Sequence, residues 1–321
     1  MIPFEQEQSS IFGVIFSLNR AMQLQAALRS LFLNCRDVER LELFVLYKTT
    51  NSYHSRQYAR LVAEFDQYPN IHFLPESNFR NDLISLLASH GSLSPDRFKM
   101  FLNTLRLGER FGWLGNKLLS FLRPVYVLFL VDDNIFVQSF RLFDVIAALE
   151  QRPSALGFSL RLGKNTTYCY PDDSAQALPG FLPLTPNIQS FDWTVGEHDF
   201  HYPLEVSSSI YRLSEILPFI NRLSFHNPNS LESRMSASWA TFKKRQPDLL
   251  CFELSVAFCN PVNRVAQNFK NRAAEKFDYP EQFLAEQFEV GYRIDVAAYQ
   301  GFVTCGCHQE VELKFKKIPS E

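Results

Sequence analysis

VYVLFLVDDNIFV, residues 125 to 137, carries an unbroken apolar run from Val125 to Val131 straight into Asp132, Asp133 and Asn134. Such a run, closed by polar residues, fits a strand covered on both faces, as in parallel sheets flanked by helices. A carboxylate pair at the end of a buried strand is unfavourable unless something compensates its charge. The triplet is therefore either a solvated turn or a group delivered to a charged ligand.

Working outward, apolar runs and helical periodicities alternate. Ile11 to Phe16 fits a short strand, and AMQLQAALRSLFLNC after it repeats apolar residues at helical spacing. LELFVLYKTT, SRQYARLVAEFDQY and NIHFLP follow as strand, helix and strand. Residues 80 to 122 read mostly as helix, and FVQSFRLFDVIAALEQ as another helix after the opening strand. The alternation over about 150 residues predicts an α/β fold built from β-α-β units around a mostly parallel sheet. Such sheets bind ligands at the carboxyl ends of their strands. Ser17 to Arg20, Tyr47 to Thr50 and Asp132 to Asn134 all fall on that rim.

The second half is less regular. PDDSAQALPGFLPLTPNIQS (171–190) reads as a long surface excursion, suited to an acceptor pocket. LEVSSSIYRLSEILPFINRL reads as strand, polar turn and helix. SLESRMSASWATFKKR is a helix with Ser230 as N-cap, LLCFELSVAFCN is strand-like, and residues 271 to 296 are a helix pair or a helix and loop. One domain over residues 1–321 is expected, with a regular half to 137 and a less regular half from 138.

Bulk composition narrows the class. The chain has 321 residues, 46% hydrophobic and 21% charged, with a formal net charge of -2, so no basic excess points to nucleic acid. Its 31 Phe imply an aromatic-rich core. The N-terminal MIPFEQEQSS lacks the basic and apolar regions of a secretory signal, and no apolar stretch approaches the ~18–20 residues of a spanning helix. Six Cys in this length do not make a disulfide framework. Cys305 and Cys307 form C-G-C without a second pair, which weighs against zinc there. A cytoplasmic protein with reduced thiols and no transmembrane segment is expected, and the sequon at Asn165 is incidental.

The strand-end S-x-N-R (Ser17 to Arg20), the V-x-Y-K of the second strand (Val45 to Lys48) and F-L-V-D-D-N resemble the GT-A glycosyltransferases, of the family-2-like kind. The resemblance covers most of the chain in order, although each motif is short. It implies a glycosyltransferase of hexosyltransferase type, taking a UDP- or GDP-sugar to a carbohydrate or small hydroxyl acceptor, with 1–137 as the nucleotide-binding half and 138–321 as the acceptor-binding half. It places Asp132-Asp133-Asn134 at the D-x-D motif, with Asn where the second Asp usually stands. Phe16, Ser17, Asn19, Arg20, Tyr47, Lys48, Asp132 and Asp133 would then line the donor. Arg20 offers a planar donor fork. Mn²⁺ or Mg²⁺ would be held by Asn134, Asp133 and a late His, His308, beside Glu310. Hard oxygen ligands suit such ions, which neutralise charge growing on a leaving diphosphate.

Glu232, in NPNSLESRMS, stands where the family carries its acidic base, and a carboxylate there would take the acceptor proton in an inverting transfer. Its partner acid is replaced by Ser233. As a first-turn helix residue it is equally an N-terminal charge favoured by the helix dipole. Asp199 and Glu205 are the reserve candidates. Asn263, Arg264, Lys270 and Arg272 either neutralise diphosphate or solvate a helix face. The alternative function is a catalytically inactive nucleotide- or carbohydrate-binding protein on the same fold. A nucleotidylyltransferase would carry a Gly-rich loop after the first strand, where FSLNRAMQ has none, and an aspartyl phosphatase would place its acidic motif near the first strand.

Overall fold

The unbroken apolar run at 125–131 is a strand because both of its faces are buried. In the computed structural model, which describes residues 10–91, 125–264 and 272–318, its side chains alternate between two separate cores. Tyr126, Leu128 and Leu130 enter one, and Val125, Val127 and Phe129 the other. The same alternation sends Ile11 and Ile15 one way and Phe12, Val14 and Phe16 the other. Burying each such side chain contributes about 1.5–3 kcal/mol, and a strand gaining it on both faces has no polar side to show.

The chain runs β1 (Ser10–Leu18), α1 (Ala21–Asn34), β2 (Leu41–Lys48), α2 (Ser52–Phe65), β3 (Ile71–Pro75) and α3 (Phe79–His90). The expected helix beyond 91 and Lys270 lie outside the described residues. After β4 (Val125–Val131) come β5 (Asn134–Phe136), α4 (Leu142–Gln151) and β6 (Ala155–Ser159). A hairpin of β7 (Tyr168–Cys169) and β8 (Ser174–Ala175) precedes β9 (Leu182–Thr185), β10 (Ile188–Asp192) and β11 (Ser209–Arg212). Helices α5 (Leu213–Ile220), α6 (Pro228–Ala237) and α7 (Ala240–Lys243) lead to β12 (Asp248–Phe252) and β13 (Ala257–Cys259). Helix α8 (Glu281–Glu289) and the pair β14 (Tyr292–Ile294) and β15 (Phe315–Lys317) follow.

Nine strands form one sheet in the order β3-β2-β1-β4-β11-β6-β12-β10-β9. From the pairings, β10 and β11 alone run against the other seven, so the sheet is mainly parallel, as expected. It draws strands from both sides of residue 137. The carboxyl ends of β1, β2, β4, β6 and β12 share one edge, where the reversed β11 begins.

Several local readings change: the helix expected over 230–245 divides into α6 and α7, and the strand expected before the serines at 207–209 is instead β11, which begins at Ser209. Residues 134–136 pair with β13 as a strand, and the helix expected from Phe136 starts only at Leu142. Its N-terminal amides are taken by a distant residue: Asp37 accepts from Leu142 N at 2.8 Å and Phe143 N at 2.9 Å. Helix α6 is capped by Asn227; Ser230 is the third residue of a reciprocal capping box, not the N-cap. The excursion at 171–190 is partly drawn into the sheet, since β9 and the start of β10 extend its edge and β8 pairs with β7. At the junction of β6 and β11, Gly157 allows close packing, because a Cβ there would lie 2.7 Å from the Tyr211 ring and 2.8 Å from Ile210 O.

Candidate functional site

The register of the parallel strands decides which strand ends meet. β1 pairs with β4 so that Phe16 lies opposite Val131, which brings Ser17 and the following turn against Asp132. Ser17 Oγ donates to Asp132 Oδ2 at 2.8 Å, with Leu18 N at 3.4 Å from the same oxygen. Arg20 Nη1 reaches Asp132 Oδ1 at 3.1 Å and Asp133 Oδ2 at 3.5 Å, and its Nη2 donates to Asn263 O at 3.0 Å. The Tyr58 hydroxyl, from α2, contacts Ser17 Oγ at 2.5 Å and accepts from Arg20 N at 3.2 Å. Tyr47 stacks on Tyr58 with centroids 4.7 Å apart.

The carboxylate pair is thus compensated by one buried guanidinium. Burial works against the Arg20 charge, but Asp132 and Asp133 outweigh it and hold its pKa up. Burial pushes the Asp133 carboxyl above its usual range; Arg20 opposes that, and Asp132 adds to it. Asp133 Oδ1 is buried without a hydrogen-bond partner.

Ser17, Arg20, Asp132 and Asp133 therefore come together. The other expected donor residues are placed differently. Phe16 is buried at 4% exposure and packs against Phe79 and Phe129, because strand alternation points it away from Ser17. Asn19 is a turn residue at φ +59°, a backbone region asparagine tolerates. Its side chain straps the ends of β1 and β2, accepting from Thr50 N at 2.9 Å and donating to Thr50 Oγ1 at 2.8 Å. Lys48 is exposed and pairs with Glu76 at 3.2 Å.

The expected metal set does not assemble. Asn134 is 0% exposed and turned into the core: its Oδ1 accepts from Val131 N at 2.9 Å, and its Nδ2 donates to Ser207 O at 2.8 Å and Cys259 Sγ at 3.2 Å. His308 Nε2 lies 3.2 Å from Arg161 Nη1, and burial beside that guanidinium pushes its pKa down to about 3. A neutral ring accepting from Arg161 has no lone pair left for an ion. Among the described residues, Asp133 and His308 belong to no group of three His, Cys or carboxylate side chains with ligand atoms within 4.8 Å. Asp133, with its unpartnered oxygen, is the one member of the set that fits a hard cation. Glu310 is a structural anchor, accepting from the amides of residues 275 to 277 and from the Tyr170 hydroxyl. Arg272 braces Asp173 and Glu275. Arg264 Nε donates to Ala273 O at 3.2 Å.

A second polar group lies beside the first. Asn134 touches Ser207 O, and the preceding amide, Val206 N, donates to Glu232 Oε2 at 3.0 Å. Tyr202 donates to Glu232 Oε1 at 3.2 Å. Burial, and then the neighbouring Glu205, raise the Glu232 carboxyl. Glu205 is itself buried against Arg161, at 2.9 Å, and accepts from Ser207 N and Ser209 Oγ. Arg161, Asp199, Tyr202 and Glu205 line a narrow cleft there. Sequence reading reached Glu232, with Glu205 and Asp199 in reserve, but missed Arg161 and Tyr58. Arg161 carried a usable signal, since it stands just past the end of the apolar strand β6. Tyr58 sits mid-helix and carried none.

No family model matches the sequence. Over 248 residues, 70% of this chain, it is 26% identical to the bifunctional glycosyltransferase pgtA of Dictyostelium discoideum, and the match spans only 28% of that enzyme. Among solved structures, S. aureus TarS 1-349 in complex with UDP-GlcNAc is 12% identical, with 77% of this chain and 56% of that one covered and a TM-score of 0.40. The mannosyltransferase PcManGT from Pyrobaculum calidifontis, in complex with GDP-Man and Mn²⁺, is 11% identical, covering 76% and 55%, with a TM-score of 0.36. Structural likenesses this distant add nothing to the assignment, which rests on the sequence match. No helix among the described residues is long and apolar enough to cross a membrane. By its alignment over most of its length, the chain is a homologue of a glycosyltransferase.

Proposed function

We propose that the chain transfers a sugar from a nucleoside-diphosphate sugar, a UDP- or GDP-sugar, to a hydroxyl of a carbohydrate or small acceptor. The observation that carries this is the buried Ser17–Arg20–Asp132–Asp133 cluster at the carboxyl edge of β1 and β4, in a homologue of a glycosyltransferase. Residues 1–137 supply the donor side and residues 138–321 the acceptor side, in a GT-A-type domain. Arg20, swung from its carboxylates, presents a planar fork to diphosphate oxygens. Asp132 then faces the ribose or sugar.

Asp133, whose Oδ1 is unpartnered, would hold a divalent Mn²⁺ or Mg²⁺, since such ions often take only one or two protein carboxylates. When bound, it supplies charge stabilisation to the departing diphosphate. Asn134 and His308 take no part in it. Glu232 serves as the base of an inverting transfer: burial, then Glu205, raise its carboxyl and make the carboxylate a stronger proton acceptor, and Tyr202 and Val206 N aim it. Six unpaired cysteines agree with a reducing, cytoplasmic setting.

A donor-binding protein without transfer is the second reading. It is favoured by the commitment of both Glu232 oxygens to Tyr202 and Val206 and by the Arg20 ion pair and Ser17 hydrogen bond that cover Asp132. Calorimetric titration with UDP, GDP and dTDP compounds, with and without Mn²⁺, tests donor binding on wild type and Asp132→Asn. Binding of one nucleotide, lost in the variant, supports the site; no binding of any removes it. Glu232→Gln separates the readings, because transfer must fall while donor affinity stays.

A further inference from the structure

In the stretch of chain that joins β6 to β11 are three side chains that the proposed transfer does not use. Cys169 in β7, Asp172 in the turn after it and His198 each place one ligand atom within 4.8 Å of the others. Among the described residues they are the one such trio of His, Cys or carboxylate groups. Asp172 Oδ2 is 2.7 Å from His198 Nδ1 and 3.5 Å from Cys169 Sγ. We propose that Cys169, Asp172 and His198 form a zinc-binding site.

The donor set carries the identity of the ion. Thiolate and imidazole with one carboxylate suit Zn²⁺, whereas Mg²⁺ and Mn²⁺ favour oxygen-only sites. With bonds of about 2.0–2.3 Å, tetrahedral donors stand roughly 3.3–3.8 Å apart. The Cys169–Asp172 separation already matches. The shorter His198–Asp172 contact is a shared proton, and it opens by under about 1 Å when an ion takes the proton's place. The thiol proton leaves to solvent; the Nδ1 proton leaves with it from an imidazolium or moves to Nε2 in a neutral ring, so that the bound imidazole stays neutral, and no electrons move. Asp172 and His198 are exposed while Cys169 is 2% exposed, so an ion enters from the solvent side and water fills the fourth position.

The trio joins segments far apart in sequence, and each segment is held independently of it. Arg272 braces the hairpin through Asp173 at 2.8 Å, the Tyr168 hydroxyl at 3.1 Å and Tyr170 O at 3.0 Å. Gln176 joins the second segment to the first, accepting from Asp199 N at 3.1 Å and donating to Thr166 O at 3.0 Å. His198 itself sits at φ +47°, in the left-handed region that histidine visits more readily than most residues. Its neighbour Asp199 lines the cleft with Arg161, Tyr202 and Glu205, so a bound ion would fix one wall of that cleft.

The test uses the full chain under a non-thiol reductant, by equilibrium dialysis against Zn²⁺ and by Co²⁺ substitution followed spectroscopically. One equivalent of Zn²⁺ and a thiolate-to-cobalt charge-transfer band are expected. Both are lost in Cys169→Ser and in His198→Ala, and both persist in Cys305→Ser, which removes the one exposed thiol. Failure to bind one equivalent, or a band that survives both Cys169→Ser and His198→Ala, overturns the site. Should Cys169→Ser not fold, exposed His198→Ala and Asp172→Asn give the same reading. No donor is needed, so the result stands apart from the glycosyltransferase reading.

Discussion

Replacing Arg20 by Leu removes the one cation that contacts both carboxylates of the acidic pair. At 3.1 and 3.5 Å, each contact has a gross attraction of about 5 kcal/mol at an effective dielectric of about 20, most of it offset by desolvating three charges. The variant leaves buried Asp132 beside half-buried Asp133 with no cation in contact with either, only Arg161 acting on Asp133 from further off. Breaking a buried pair from one side costs about 3–5 kcal/mol, a large share of a typical stability of about 5–15 kcal/mol. Urea unfolding at pH 7 should show a loss of about 3 kcal/mol or more.

The pH dependence carries a definite sign. Asp133 already has a folded pKa above its unfolded value, through burial, and losing Arg20 raises it further. A carboxyl raised in the folded state opposes folding once pH exceeds its unfolded pKa of about 3.9, and the penalty grows until pH passes the folded value. The deficit of Arg20→Leu should therefore shrink from pH 7 toward pH 4. Adding Asp132→Asn should restore part of it at neutral pH. A loss under about 1 kcal/mol, the value of an exposed pair, or a deficit independent of pH would refute the claim that Arg20 compensates the cluster.

Other expectations follow from the same contacts. Asn134→Asp, which completes a D-x-D, should destabilise the fold by about 2–4 kcal/mol without strengthening Mn²⁺ binding, because a carboxylate would face Ser207 O where an amide now donates; calorimetry and urea unfolding read both. The His308 ring should stay neutral down to about pH 3 by NMR titration. With its folded pKa depressed, it contributes stability above its unfolded value of about 6.5 that is lost progressively as pH falls below that. Gly157→Ala should lower stability by about 1–3 kcal/mol, since the added methyl meets Ile210 O and the Tyr211 ring; thermal unfolding checks it.

The amino-acid sequence by itself determined the strand–helix alternation, the mainly parallel sheet and the rim on which the site lies. These follow from local periodicity: the apolar runs at 11–16 and 125–131 are continuous because both sheet faces are covered, and that signal needs no partner to be read. Ser17, Arg20, Asp132 and Asp133 were legible for the same reason, as polar residues just past such runs. What only the tertiary structure decided was the direction and company of each side chain. Phe16 and Ser17 are neighbours in sequence, yet strand alternation sends one to the core and the other to Asp132. Asn134 looks like a ligand until β5 pairs with β13 and Ser207 arrives to take its amide. His308 stays neutral first because it is desolvated by burial and then because Arg161, 147 residues away, lies against it. Burial and long-range pairing set which polar atoms remain free for chemistry, and neither is written in the local pattern.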